Sequence, residues 1–398
     1  MIVTDSTATK STEPEFIAEG EHLVAHFKGP EDGPTLIVFG SIHGNERSGV
    51  TALRNVAAEL AGREIDFRGN IWFLAGNTRA LNRNERFVET DLNRHWTFEN
   101  ASQNRSGSDG TKLEDREQTE LLKFIDEVFG KARNEVFALD LHSTSSESTP
   151  FAMIGDTLRN RNFAEKFPVT FLLGIEEQID GTIMEYMNEL GCVTLGFEAG
   201  QHFTDEAVRN QEALVRLALV NSGVVPAGVI DEAANRGELE RATGGRRIIE
   251  IRYRHAINAE DEFEMRPGYE NFQEISKGEF LATEKGGKVF APESGMILMP
   301  LYQKLGNDGF FVGREIKPFW LRVSRFLRTL RIGRFMKYLP GVAVDPTNSE
   351  ALIVNTNIAS ILPLQIFHLL GFRKRRWRGE KLVVSRRHHD KTSPFLHS

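Results

Sequence analysis

The 398-residue sequence contains a single cysteine, Cys192. No intramolecular disulfide can form, and no cluster of thiolates can hold a metal. Any zinc site must therefore be built from histidine and carboxylate. Met1–Phe16 lacks a basic stretch followed by an apolar one, so it does not read as a secretory leader, and a cytoplasmic location is expected. The most apolar stretch, Ala351–Phe372, is about long enough to span a bilayer. It is interrupted by Asn355, Asn357, Pro363, Gln365 and His368, and each polar group is costly in lipid. A buried helix or helix pair is expected there, and no transmembrane span. From Phe167 to Val208 there is no lysine or arginine.

What is present is ordinary for a soluble globular protein: 40% hydrophobic and 26% charged residues. The length is enough for about two or three domains. The net charge of −7 is unevenly spread. Residues 314–398 hold 17 Lys and Arg against 5 Asp and Glu, a net of +12, which leaves −19 on residues 1–313. Such asymmetry points to a basic tail with its own partner, or to one that docks on the acidic body.

Thr35–Gly40, Asn70–Ala75, Val136–Leu141 and Val193–Phe197 are short apolar runs that read as buried strands, and Val169–Leu173 reads as another. Helical spacing over Arg47–Ala61, Asp115–Phe129, Thr182–Leu190 and Asp205–Val225 alternates with them. This is the pattern of an α/β domain with helices covering a mostly parallel sheet, placed at residues 1–245. Short alternating segments with glycine-marked turns follow, including Ile248–Tyr253 and Lys288–Phe290, and predict a small all-β domain over 246–313. The remainder, 314–398, is a basic C-terminal extension. Arg322, Arg325, Arg328, Arg331, Arg334 and Lys337 recur every three residues, which predicts a helix with a basic stripe.

Four segments carry chemistry. Gly40-Ser-Ile-His43-Gly-Asn-Glu46 sits just past a predicted strand, where ligands bind in open α/β sheets. His43 and Glu46 are close enough to bind one metal, with Gly44 expected to allow a tight turn; the alternative reading of His43 is a helix cap. Asp140-Leu-His142-Ser-Thr-Ser145 ends another strand, and His142 supplies a third ligand. Two histidines and one carboxylate with an open position describe a catalytic zinc centre rather than a closed structural one. Arg86-Phe-Val-Glu-Thr-Asp91-Leu-Asn93-Arg94 gathers two arginines, which suit bidentate carboxylate binding, although by charge alone it reads as a salt-bridged loop. Gly196-Phe-Glu198-Ala-Gly-Gln-His202 places a carboxylate at a strand end, within reach of a metal site or at the cap of the next helix. Ser41, Ser143 and Ser145 lie nearby, but no serine-triad spacing accompanies them.

Together, over roughly Thr35 to Phe311, these blocks resemble the succinylglutamate desuccinylase and aspartoacylase family, which is similar in fold to the zinc carboxypeptidases. The resemblance implies a zinc carboxypeptidase-like mixed sheet with helices on both faces, followed by the small all-β domain and the basic, helical C-terminal segment. It implies one zinc per chain on His43, Glu46 and His142, with Asp91 supporting His43. It implies Arg86 on the scissile carbonyl, Asn93 and Arg94 on the substrate's α-carboxylate, and Glu198 as general base. The expected activity is hydrolysis of the linear amide of a small N-acyl amino acid, without a covalent intermediate.

Two departures bear on the substrate. Asn307-Asp-Gly-Phe-Phe311 has phenylalanine where the family's tyrosine is expected, with Tyr302 as a substitute. Phe167–Val208 offers Glu176, Glu177, Asp180, Glu185 and Glu189 where the family places a cation. Substrates with neutral or basic side chains are therefore expected, unless Arg252, Arg254 or the basic extension supplies the missing charge. Two rival readings remain: a zinc carboxypeptidase acting on short peptides, and binding of an anionic membrane or nucleic acid by the basic extension. No nucleic-acid partner is expected, the partner of the extension is open, and a homo-oligomer is compatible with the sequence.

Overall fold

Successive residues of a strand point to opposite faces of its sheet, so a strand covered on both sides must be apolar throughout. The strand Glu31–Gly40 shows this directly: Leu36 and Val38 enter one core, while Ile37 and Phe39 enter the other. Ile71 and Phe73 alternate with Trp72 and Leu74 in the same way on Arg68–Ala75. The first core is closed by helices Ser48–Ala61 and Asp205–Ser222, through Leu53, Val56, Leu60, Leu214 and Leu217. The second is closed by Leu113–Lys131 and Ile183–Glu189, through Leu121, Leu122, Ile125, Ile183 and Tyr186. In this computed structural model the residues described are 17–106, 111–175, 178–303, 306–355, 364–378 and 381–396. The expectations for Met1–Phe16, Glu176, Glu177, Asn357 and Pro363 lie outside them.

The main sheet has 11 strands, in the order Leu23–Lys28, Arg68–Ala75, Glu31–Gly40, Val136–Thr144, Val193–Gln201, Phe151–Ile154, Thr170–Leu173, Ile248–Ala256, Asp308–Glu315, Gly295–Leu298, Glu274–Ile275. Arg68–Ala75, Glu31–Gly40, Val136–Thr144 and Val193–Gln201 pair in parallel, so their carboxyl ends meet along one edge. Phe151–Ile154 runs antiparallel to Val193–Gln201, which makes the sheet mixed. The β region at 246–313 is attached to this sheet rather than standing apart from it. Ile248–Ala256 continues the sheet in parallel, and the last three strands add to it antiparallel. A separate three-stranded sheet is formed by Glu264–Met265, Phe280–Glu284 and Gly287–Phe290.

The C-terminal extension departs from the helical expectation. It opens with the helix Pro318–Thr329, but then forms a four-stranded antiparallel sheet from Val342–Asp345, Asn348–Asn355, Lys381–Arg386 and Phe372–Arg378. Within the stretch expected to be a buried helix or helix pair, Ala351–Asn355 pairs with Lys381–Ser385, and among its described residues only Leu364–Leu369 is helical. The β-branched Ile353 and Val354 favour the strand, and Val354 packs with Leu352, Phe372 and Val384 in a local core. Among the described residues, no helix is long and apolar enough to cross a membrane.

The extension docks on the acidic body. Buried Asp156 accepts hydrogen bonds from Arg161 (2.6 and 2.9 Å), Arg328 (2.9 Å) and Arg373 (2.5 Å). Arg373 also donates to Glu250 (2.7 Å). Asp390 accepts from the Leu158 amide at the start of a body helix (2.8 Å), Pro394 sits against Gly191, and Phe395 stacks on Phe129. Burial disfavours the charged Asp156, but the three arginines outweigh it and hold its carboxyl well below the usual range. Truncating one partner of a buried charge network leaves the others uncompensated. Asp156→Ala should therefore cost about 3–5 kcal/mol of stability, read by urea unfolding. A loss under about 1 kcal/mol, the worth of an exposed pair, would show that other acids carry these arginines.

Candidate metal centre

The site forms where the parallel strands end. After Gly40 the chain turns at Ser41, whose φ of 59° is rare outside glycine, and the Ser41 hydroxyl donates to the Glu46 carbonyl (2.9 Å). Gly44 keeps its ordinary φ; its role is close packing, because a Cβ there would lie 2.1 Å from the Ala80 carbonyl carbon. The Gly44 amide donates to the Arg86 carbonyl (3.1 Å), which ties the His43–Glu46 turn to the Arg86–Arg94 loop.

Side-chain donor atoms of His43, Glu46 and His142 lie within 4.8 Å of one another, and all three residues are buried. Nδ1 of His43 lies 2.9 Å from Glu46 Oε1, and Nδ1 of His142 lies 3.0 Å from Oε2. The far side of each ring meets another carboxylate: His43 Nε2 is 3.2 Å from Asp91, and His142 Nε2 is 2.6 Å from Asp140. That is how metal-binding histidines are normally oriented, with one nitrogen free for the ion and the other held by an acid. Burial pushes the Glu46 carboxyl up, yet His43 and His142 hold it well below the usual carboxylate range. Burial lowers His142, and Asp140 with Glu46 more than reverses that. The donor set and its backing acids fit a single divalent cation such as zinc.

The Asp-Leu-His block thus supplies two functional side chains, Asp140 behind His142. Residues two apart on a strand share a face, so the spacing carries the signal for the pair. Asp91 does double duty: besides His43 it accepts from Arg86 Nε (3.3 Å) and NH2 (3.1 Å). Arg86 is thereby fixed with NH1 3.8 Å from Glu46, and it lines the cavity. Glu198 faces the same cavity from Val193–Gln201, in register with His142 on the neighbouring strand. Its Oε2 is buried without a hydrogen-bond partner, and burial pushes its pKa up to about 7.

The carboxylate-binding pair divides. Asn93 is committed to the protein: Oδ1 accepts from the Ile183 amide (2.9 Å), and Nδ2 points at Asp140 and His142 (both 3.4 Å). Arg94 borders the cavity and donates to Asp308 (2.7 Å), which also accepts from Arg254 (2.5 Å). Tyr302 does not reach the site, since its hydroxyl is bonded to the Tyr269 and Arg266 backbone. Phe311 lines the cavity instead. Ser143 lies 2.7 Å from His202 Nδ1, but His202 Nε2 has no partner, so no acid completes a triad.

The C-terminal extension also contributes a cation to the cavity wall. Arg387, buried in the C-terminal extension, lines the cavity beside Asn188 (3.2 Å) and Glu189 (3.5 Å). A Cβ on Gly155 would come within 3.3 Å of its Nε. Nothing local in the sequence marks Arg387, because its place depends on the whole extension docking.

Fold and site together define a mixed-sheet α/β protein with a His–Glu–His group at the strand ends. Residues 32–222 match the family model described as Succinylglutamate desuccinylase/Aspartoacylase catalytic domain, and over these residues the chain is similar to that family. A succinylglutamate desuccinylase from Pseudomonas putida (strain GB-1) is 25% identical over 296 residues, covering 69% of this chain and 80% of that protein. One from Pseudomonas paraeruginosa is 30% identical over 132 residues, a match spanning 33% of this chain and 38% of its relative. Among solved structures, a succinylglutamate desuccinylase/aspartoacylase from Rhodobacter sphaeroides superimposes with TM-score 0.55 at 19% identity, covering 73% of this chain and 88% of that one. The product-bound ectoine utilization protein EutE (DoeB) from Ruegeria pomeroyi does so with TM-score 0.53, at 19% identity and the same coverages.

Proposed function

We propose that the chain is a zinc-dependent hydrolase that cleaves the amide bond of a small N-acyl amino acid. The observation that carries this reading is the convergence of two acid-backed imidazoles on Glu46, with the unpartnered Glu198 carboxylate on the adjoining strand. Zinc held by His43, Glu46 and His142 would polarise the substrate carbonyl and lower the pKa of water toward about 7. Glu198 takes a proton from the attacking water and delivers it to the leaving nitrogen. Arg86, held rigid by Asp91, donates to the carbonyl oxygen as negative charge develops there. Arg94 meets the substrate's carboxylate in competition with Asp308. Asn93 orients the Asp140–His142 pair and holds the wall at Ile183.

Met299, Leu301, Gln303 and Asp308 of the β region wall the cavity, and Asn45 of the His43–Glu46 turn donates to Gln303 (3.4 Å). That favours small substrates over polypeptides. Arg387 lines the cavity although Phe167–Val208 holds no Lys or Arg, so acidic side chains and succinyl groups belong among the candidates. The test is a panel of N-acetyl and N-succinyl amino acids offered to zinc-loaded protein. Turnover that stops on chelation and returns with zinc is expected. Zinc-loaded protein that cleaves none of them, or cleaves them regardless of chelator, would remove the reading.

A further inference from the structure

The helix Pro318–Thr329 is turned inside out. The side facing the body carries Leu321, Ser324 and Arg328, all buried. Leu321 joins the main core, Ser324 donates to the Leu369 carbonyl (2.7 Å), and Arg328 is bonded to Asp156. Phe319, Val323, Phe326 and Leu330 recur at intervals of four, three and four, one stripe of a helical surface, and it is the opposite stripe. A surface helix ordinarily buries such a stripe. Here the polar contacts hold the helix down, and the apolar side chains face water. Phe319, Trp320, Phe326, Leu330, Phe335 and Tyr338 are each 49–73% exposed. Scattered exposed apolar residues are normal, but a contiguous run of large ones marks an interaction surface.

Charge says what the surface meets. Arg322, Arg331, Arg334 and Lys337 are exposed beside these residues. From Arg314 to Val344 the only acid is Glu315. A second copy docked face to face would set arginine against arginine. Nucleic acid would satisfy the marginal cations but leave the central apolar stripe uncovered. An anionic bilayer satisfies both: apolar and aromatic side chains enter the interface, and cations meet the headgroups.

We propose that the outward face of Pro318–Tyr338 docks the protein on an anionic lipid surface, with Phe319, Phe326 and Leu330 inserted and the arginines against lipid phosphates. The helix lies in the interface rather than crossing it, consistent with its 12 residues. This inference is independent of the hydrolase reading.

The full chain can be sedimented with phosphatidylcholine vesicles and with mixed phosphatidylcholine/phosphatidylglycerol vesicles. Binding should favour the mixed vesicles by at least about tenfold and weaken with salt. Phe319→Ser with Phe326→Ser should weaken it by about tenfold or more, through lost insertion. Both side chains are exposed, so the melting temperature should not move. Arg331→Glu with Lys337→Glu should abolish the preference for anionic lipid. Absence of binding to mixed vesicles would overturn the proposal. So would undiminished binding by the double serine variant, a solution dimer that this variant dissolves, or Phe326-dependent DNA binding without vesicle binding.

Discussion

Glu198→Gln is expected to leave zinc bound and to lower kcat by about 10²–10⁴, the usual worth of a positioned general base. Glutamine has the size of glutamate and cannot accept the proton. Glu198 is not among the three side chains that converge to hold a metal, so ion content should not change. Its Oε2 has no protein partner to lose, which separates this substitution from one that disrupts a network. Burial, opposed by His142, His43 and Arg86 and reinforced by Glu46, pushes Glu198 up to about 7, and a cation at the neighbouring site would draw it back down. A base works only when deprotonated, so kcat/KM should rise with pH along a limb at or below about 7, and the glutamine variant should lack that limb. Steady-state rates across pH, with zinc measured in the same samples, provide the check. Near-wild-type turnover by the variant would assign proton transfer to another group, and His202, with its unpartnered Nε2 in the same cavity, would be the first to examine.

The sequence made the site legible where chemistry is local. His43 with Glu46, His142 and Glu198 all sit at ends of apolar runs, and the parallel pairing of those runs brings them together, whereas the role of Asp140 behind His142 was not read. What could not be read was what depends on distant docking. Arg387 reaches the cavity only because Asp156, Leu158 and Glu250 anchor the extension. Asp308 lies between Arg94 and Arg254 only because its strand joins the main sheet. The C-terminal sheet was hidden for a different reason. Apolar content over Ala351–Phe372 cannot separate a buried helix from a strand, and the deciding partner, Lys381–Arg386, comes later in the chain. The recurrence from Arg322 to Lys337 predicts one helix with a basic stripe; the α-helix found, Pro318–Thr329, carries only Arg322, Arg325 and Arg328 of it, and its orientation was not legible. Arg328 is the buried member of that stripe, and it turns the phenylalanines outward.

His142→Ala should abolish hydrolysis and weaken zinc binding by orders of magnitude, since it removes one of three protein ligands. The loss is more than a missing donor. Glu46 Oε2 and Asp140 Oδ2 both face the imidazole, so alanine leaves two buried carboxylates without the group between them. The Ser143 amide still donates to Glu46 (3.0 Å), and Asn93 still reaches toward Asp140, so the chain should fold around the gap. Asp140→Asn provides the graded comparison. It keeps His142 but replaces the anion behind it, and such supporting acids are typically worth about 10–100-fold in metal affinity. The two variants should therefore order themselves: wild type tightest, Asp140→Asn intermediate, His142→Ala without stoichiometric zinc. Elemental analysis after dialysis against a chelator of known affinity resolves the three. Full zinc occupancy in His142→Ala would place the ion elsewhere, and the second such group among the described residues, His22 with Glu117 and Glu120, is the alternative to probe. There Arg79 already bonds both glutamates (2.8 and 2.9 Å), so the space a cation would need is filled by a guanidinium.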